Sequence, residues 1–212
     1  MTASADGIAR FAARFPVVWH VVEADGLAGV EAHGLLPATD LLRRAGMAPT
    51  DQNRDDFLPV PLSPSEKAGP AAILRFQLMR DEKIAPSLRG AYAGQPARWR
   101  ALIDSQVFFW ADPARRDLFL RACRRDRRRS RVTPLDEAPV VLTFDSAALL
   151  GARGDAAFYS TFNTGSTVRG GLRAHRDENT FRPVAGYRSG PAAELAIRGA
   201  VPPAVLAAAR LP

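Results

Sequence analysis

Six apolar runs, each four to six residues long and each closed by a turn or a helix signal, set the terms on which this chain folds. Val17-Val18-Trp19-His20-Val21-Val22, Gln106 to Trp110, Val140 to Phe144, Phe158 to Phe162, Phe181 to Val184 and Glu194 to Ile197 all read as strands. None approaches the roughly 18 consecutive apolar residues that a bilayer span needs. The segments between them carry helix signals. Asp6 to Phe15 places Ile8, Phe11, Ala12 and Phe15 at helical spacing and stops at Pro16. Asp25 reads as the N-cap of a helix carrying Leu27, Val30 and Glu31 and closed by Gly34, and Thr39 or Asp40 caps another through Leu41 and Leu42. Asp112 and Pro113 fit the N-cap and first helical positions, and Asp145 or Ser146 starts a further helix.

Residues 71–104 read as mainly helical, with Ala72 to Phe76 fitting strand or helix equally well. Pro49 to Pro70 is polar and proline-rich and reads as a loop with little regular structure, and Pro202-Pro203 with the alanine-rich tail reads as cover for a sheet edge. At 212 residues and 47% hydrophobic content, the chain is sized for one domain spanning 1–212, with a proline-rich and helical elaboration at about 38–104. Cys123 is the only cysteine, so no internal disulfide supports the fold. The first residues show neither a basic n-region nor an apolar h-region, and the expectation is a soluble cytoplasmic protein with no membrane partner.

The net charge of +7 is unevenly spread. Residues 1–66 carry −4 and residues 67–212 carry +11. The segment from Arg121 to Arg131 holds seven arginines against Asp126 and supplies +6 of that excess. Two readings fit it. Arg124, Arg125, Arg127, Arg128 and Arg129 form a nucleic-acid contact that grips phosphate, or they are the solvated C-terminal turns of a helix, where cations suit the helix dipole.

The familiar catalytic and phosphate-binding signatures are absent: no G-x-x-x-x-G-K-[ST], no G-x-G-x-x-G after a strand, no H-E-x-x-H and no G-x-S-x-G. With one cysteine and three histidines, no metal-ligand spacing stands out, and no metal is expected. Two residues do interrupt apolar strands. His20 lies inside the first strand, as a satisfied core histidine or as a ligand contact. Glu194 opens the last strand, as a solvated edge carboxylate or as a reactive one.

Trp19-His20-Val21-Val22, followed by Asp25-Gly26-Leu27 and Gly34-Leu35-Leu36, resembles the opening of ADP-ribosyltransferase-like proteins, including DarT-type DNA ADP-ribosyltransferases and RNA 2'-phosphotransferases. Leu74-Arg75, Trp99, Val107-Phe108-Phe109-Trp110, Asn163-Thr164-Gly165-Ser166, Thr180-Phe181-Arg182-Pro183, Ala193 to Ile197 and Val201-Pro202-Pro203 are together similar to an uncharacterised bacterial family, a remote branch of that superfamily.

The resemblance implies an α+β fold with a split, bent mixed β-sheet core and peripheral helices, clasping NAD as substrate. It implies that His20 binds NAD and that Glu194 is the catalytic carboxylate, accepting the nicotinamide-ribose hydroxyl and stabilising the oxocarbenium-like charge as nicotinamide leaves. Arg75 would meet the pyrophosphate, Phe109 or Trp110 would stack on nicotinamide or floor the pocket, and Asn163 and Ser166 would contact ligand through the turn. The acceptor would be nucleic acid or protein. Gly26 stands where DarT-type enzymes carry Asn, and Tyr159 and the aromatic run at Phe108 compete for the middle position of a His-Tyr-Glu set. Two alternatives accompany this expectation: a catalytically inactive ligand- or partner-binding module, and an NAD-dependent RNA 2'-phosphotransferase.

Overall fold

Four valines in six residues favour a pleated strand, and Val17–Val22 forms strand β1. The computed structural model describes residues 3–44, 46, 57–61, 71–75, 81–127, 138–165 and 174–212. Around β1 are helices α1 (Ala3–Arg14), α2 (Leu27–His33) and α3 (Ala38–Arg44), then the hairpin β2 (Phe57–Pro61) and β3 (Ala71–Arg75). Helices α4 (Asp81–Ile84) and α5 (Pro96–Asp104) lead to β4 (Gln106–Trp110), α6 (Pro113–Arg127), β5 (Val140–Asp145) and α7 (Ser146–Arg153). The chain continues through β6 (Ala157–Ser160), β7 (Arg182–Pro183), β8 (Glu194–Arg198) and α8 (Pro203–Ala209).

The main sheet has the order β5-β1-β4-β8-β6-β7. The protein is therefore α+β, an open sheet with peripheral helices. Every described pairing in this sheet is antiparallel, which corrects the mixed sheet expected. Each strand runs opposite to its neighbours, so none of these pairs needs the long crossover that parallel strands require. The sheet is split. Strand β1 pairs with β5 from Val17↔Asp145 to Val22↔Val140, and β4 pairs with β8 from Gln106↔Arg198 to Trp110↔Glu194. Between β1 and β4 the register holds at one pair, Trp19↔Trp110.

Strand alternation divides the core into two faces. Val18, Val22, Phe109, Phe144, Leu195 and Ile197 point to the side covered by Phe11 of α1, Leu149 and Leu150 of α7 and Leu206 of α8. Phe108, Phe158 and Ala196 point the other way, onto Ile84, Trp99, Ile103 and Phe181. Caps fix where helices begin: the Asp112 carboxylate accepts the Ala114 N–H at 2.8 Å, and the Asp145 carboxylate accepts the Ala148 N–H at 2.7 Å.

The hairpin corrects the sequence reading. Residues 57–61, read as loop, form β2, and 71–75 resolves as strand β3. Among the described residues the hairpin pairs with no third strand, so each strand keeps an unpaired side and Pro59 and Pro61 are tolerated. Val60, fully buried, packs with Leu41, Leu42 and Leu74. Asp25 is not a cap; it lies inside the 3-10 turn Ala24–Gly26, which runs straight into α2. Gly34 does close that helix, at φ +78°, and a Cβ there would collide with the Val201 carbonyl oxygen. The C-terminal tail covers edge strand β5, with the Leu211 N–H donating to the Thr143 carbonyl at 2.9 Å. Among the described residues no helix is long and apolar enough to cross a membrane.

Candidate functional site

Glu194 is the first residue of β8, yet the ladder runs one residue beyond it on both sides. The Ala193 N–H donates to the Ser160 carbonyl at 2.7 Å, and the Ala193 carbonyl accepts from the Ala111 N–H at 3.0 Å. Glu194 is consequently 5% exposed, a buried carboxylate and not a solvated strand mouth. After β6 the chain turns sharply. Ser160 Oγ accepts the Phe162 N–H, and Asn163 Oδ1 accepts the Gly165 N–H at 3.1 Å. The turn swings buried Thr164 onto the carboxylate, where its N–H and Oγ1–H donate to Oε2 at 3.0 and 2.8 Å. Oε1 accepts no hydrogen bond from the described residues. Burial pushes the carboxyl up to about 7, against the two Thr164 bonds and the positive charges of Arg176 and Arg115, which favour ionisation.

Arg176 lies behind the same turn and is fully buried. Its Nε donates to the Thr164 carbonyl at 3.2 Å, and its Nη1 donates to Ser87 Oγ at 3.0 Å and the Ala174 carbonyl at 3.2 Å. Burial lowers its pKa and the Glu194 charge opposes that fall. The guanidinium remains a cation.

Helix α6 lies over the Glu194 face. The Arg116 guanidinium sits 4.6 Å from the Trp19 ring centroid, and Phe119 packs on Trp110 at 5.2 Å. The register Trp19↔Trp110↔Glu194↔Ser160 puts these four residues in one row on one face. Beside that row, an open groove of about 470 Å³ runs between Phe15, Trp19, Pro113 and Pro191.

His20 occupies the split. Where the β1–β4 register ends, its Nδ1 meets the Phe108 carbonyl at 2.8 Å. A carbonyl only accepts, so Nδ1 carries the proton and Nε2 presents a lone pair in the neutral ring. Burial holds its pKa below the usual histidine value, partly offset by the Phe108 bond. The ring, with Val21, Val22, Glu23, Ile73 and Phe119, lines a cavity of about 70 Å³.

The structure thus brings Trp110 and Asn163 to the Glu194 neighbourhood and sets His20 and Phe109 on the opposite face. Phe109 is core, 5.7 Å from the His20 ring and edge-on to Phe144 at 5.6 Å. Asn163 Oδ1 is committed to its own turn. Arg75 lies on β3, but its side chain, like those of Arg124, Arg125 and Arg127, falls outside the described residues, as do Ser166, Arg128 and Arg129 entirely. Gly26 is buried, and a Cβ there would stand 3.2 Å from the Ile73 nitrogen, so β3 packs closely against it. Sequence reasoning missed Thr164 as a side-chain donor, and it missed Arg176 and Ser87 altogether. Thr164 lay within the turn already singled out; Arg176, next to exposed His175 in a polar stretch, gave no sign of burial.

Among the described residues no cluster of three or more His, Cys, Asp or Glu side chains is arranged to hold a metal. No curated protein and no solved structure matches the chain. Residues 16–205 match the family model described as a family of unknown function (DUF7002). That match covers most of the chain, which belongs to the DUF7002 family.

Proposed function

We propose that the protein is an NAD-dependent ADP-ribosyltransferase, with Glu194 as the carboxylate that stabilises the oxocarbenium-like transition state and His20 as an NAD contact. The observation that carries this reading is the division of labour within the Glu194 carboxylate. Oε2 is occupied by both Thr164 donors, while Oε1 is left to accept a ligand hydroxyl. A carboxylate preset in a dry site opposes developing positive charge without reorganising at the moment of reaction. The fixed tautomer of His20 suits a donor on the ligand, such as a ribose hydroxyl or the carboxamide N–H of nicotinamide.

The cavity at His20 has room for a few waters and not for a dinucleotide, so admission of NAD requires Ile73 of β3 and Phe119 of α6 to move apart. Phe119 also packs on Trp110, the strand neighbour of Glu194, so one side chain touches both the His20 cavity and the row that holds the carboxylate. The acceptor is nucleic acid or protein. The packing of β3 on Gly26 favours a second reading, an inactive binding module that kept the fold. Incubating the protein with NAD and measuring free nicotinamide separates the two. Release that is lost in Glu194→Gln supports the transferase; no release, with or without nucleic acid or protein acceptors, leaves the binding module.

A further inference from the structure

A buried arginine is costly unless its charge is compensated and its donors are used. Arg176 meets both conditions in a way that points at Glu194. Its own backbone is tied to the segment after α4, since its N–H donates to the Ser87 carbonyl at 2.9 Å and its carbonyl accepts from the Arg89 N–H at 2.9 Å. Ser87 Oγ, which accepts from Nη1, itself donates to the Ile84 carbonyl at 2.7 Å. The guanidinium also lies 5.3 Å from the Phe162 ring centroid, within the turn that carries Thr164. One side chain therefore joins residues 84–89, 162–164 and 174–176.

We propose that Arg176 is a positioning residue for Glu194: by gripping the Thr164 carbonyl and the Ser87 hydroxyl it fixes the turn whose two donors occupy Oε2, leaving Oε1 to meet a ligand. Identifying that ligand group as the nicotinamide-ribose hydroxyl rests on the proposed function; the positioning itself does not. Thr164 alone could not set this geometry, because a threonine side chain on a free turn rotates and its N–H follows the turn. Lysine would keep the charge but not the planar fork that reaches Thr164 and Ser87 together. Among the described residues, the charged groups that act on Glu194 are Arg176 and Arg115 of α6.

The test follows the Glu194 carboxyl in protein labelled with carbon-13 at the glutamate Cδ, its signal identified by its absence in Glu194→Gln. Arg176→Gln should raise the titration midpoint by one pH unit or more. Arg176→Lys should shift the Thr164 amide resonance and raise its hydrogen-exchange rate at least tenfold. Midpoint and exchange unchanged in both variants overturn the proposal. Should Arg176→Gln fail to fold, Ser87→Ala removes one anchor while keeping the cation; it must speed Thr164 exchange, and an unaltered rate overturns the proposal equally. In turnover, Arg176→Lys should lower kcat about tenfold with KM for NAD retained, and the loss should vanish in a Glu194→Gln background. If the wild type releases no nicotinamide, the transferase reading fails on its own while the resonance and exchange measurements still decide the role of Arg176.

Discussion

Thr164 sends both of its donors, the backbone N–H and the side-chain hydroxyl, to a single oxygen of Glu194, at 3.0 and 2.8 Å. The carboxylate is thereby oriented but only half used, a state suited to a group that acts on something brought to it. Glu194→Gln keeps the shape and removes the charge. It should bind NAD about as well as wild type, because a transition-state stabiliser adds little to ground-state affinity, and lose on the order of 100-fold in nicotinamide release. Calorimetric affinity beside a nicotinamide assay checks both halves; turnover that survives the substitution removes Glu194 from the catalytic role.

The same carboxyl gives the protein a pH signature. Its pKa is raised from 4.5 to about 7, so between those values the native state holds a proton that the unfolded chain releases. The stabilisation from this group is complete below about pH 4.5 and is lost as pH rises toward 7, by up to about 3 kcal/mol. Burial of His20, which lowers its pKa, gives the opposite slope in the same range, so the decline is read as a difference: from pH 4.5 to 8 the stability of wild type should fall relative to that of Glu194→Gln. Activity should move oppositely, rising about tenfold from pH 6 to a plateau above pH 8 as the carboxylate ionises.

If His20 contacts NAD, the ligand should raise the wild-type melting temperature, because binding to the native state alone stabilises it. His20→Ala should stay folded and lose most of that shift. An equal shift in both proteins would leave His20 as a core residue tying β1 to β4.

Gly26→Asn tests the packing of β3. With a Cβ only 3.2 Å from the Ile73 nitrogen, the larger side chain must push the hairpin outward, at a cost of about 1–3 kcal/mol in chemical denaturation. A neutral result would mean that β3 yields freely.

The arginine-rich stretch from Arg124 to Arg129 is tested by salt. If Arg124, Arg125, Arg127, Arg128 and Arg129 bind nucleic acid, affinity should fall steeply with salt, and each lost phosphate contact should reduce the logarithmic slope by about 0.9. Affinity indifferent to those replacements marks a solvated helix end.

What the sequence displayed was local. β1, β4, β5 and β8 announced themselves as apolar runs, and Asp112-Pro113 and Asp145 marked their helix starts, because strand periodicity and caps are written within a few neighbouring residues. β2 was hidden by Pro59 and Pro61, whose usual reading as breakers fails in a hairpin that leaves one side of each strand unpaired. Glu194 stood out as a charge in an apolar strand, but its burial depends on Ser160 and Ala111, neighbours only after folding. Arg176 was illegible for the same reason: its partners Thr164 and Ser87 lie 12 and 89 residues away. The faces of His20 and Glu194 followed only from the Trp19↔Trp110 register, which no single strand encodes.

That one register pair has a mechanical consequence. A sheet whose two parts share a single backbone rung, supplemented by the His20 imidazole, is a hinge in all but name, and its parts need not open together. The β5–β1 leaf, sealed along its outer edge by the chain's tail, and the β4–β8–β6–β7 leaf should then protect their amides as separate cooperative blocks, with exchange fastest along the seam from His20 to Val22.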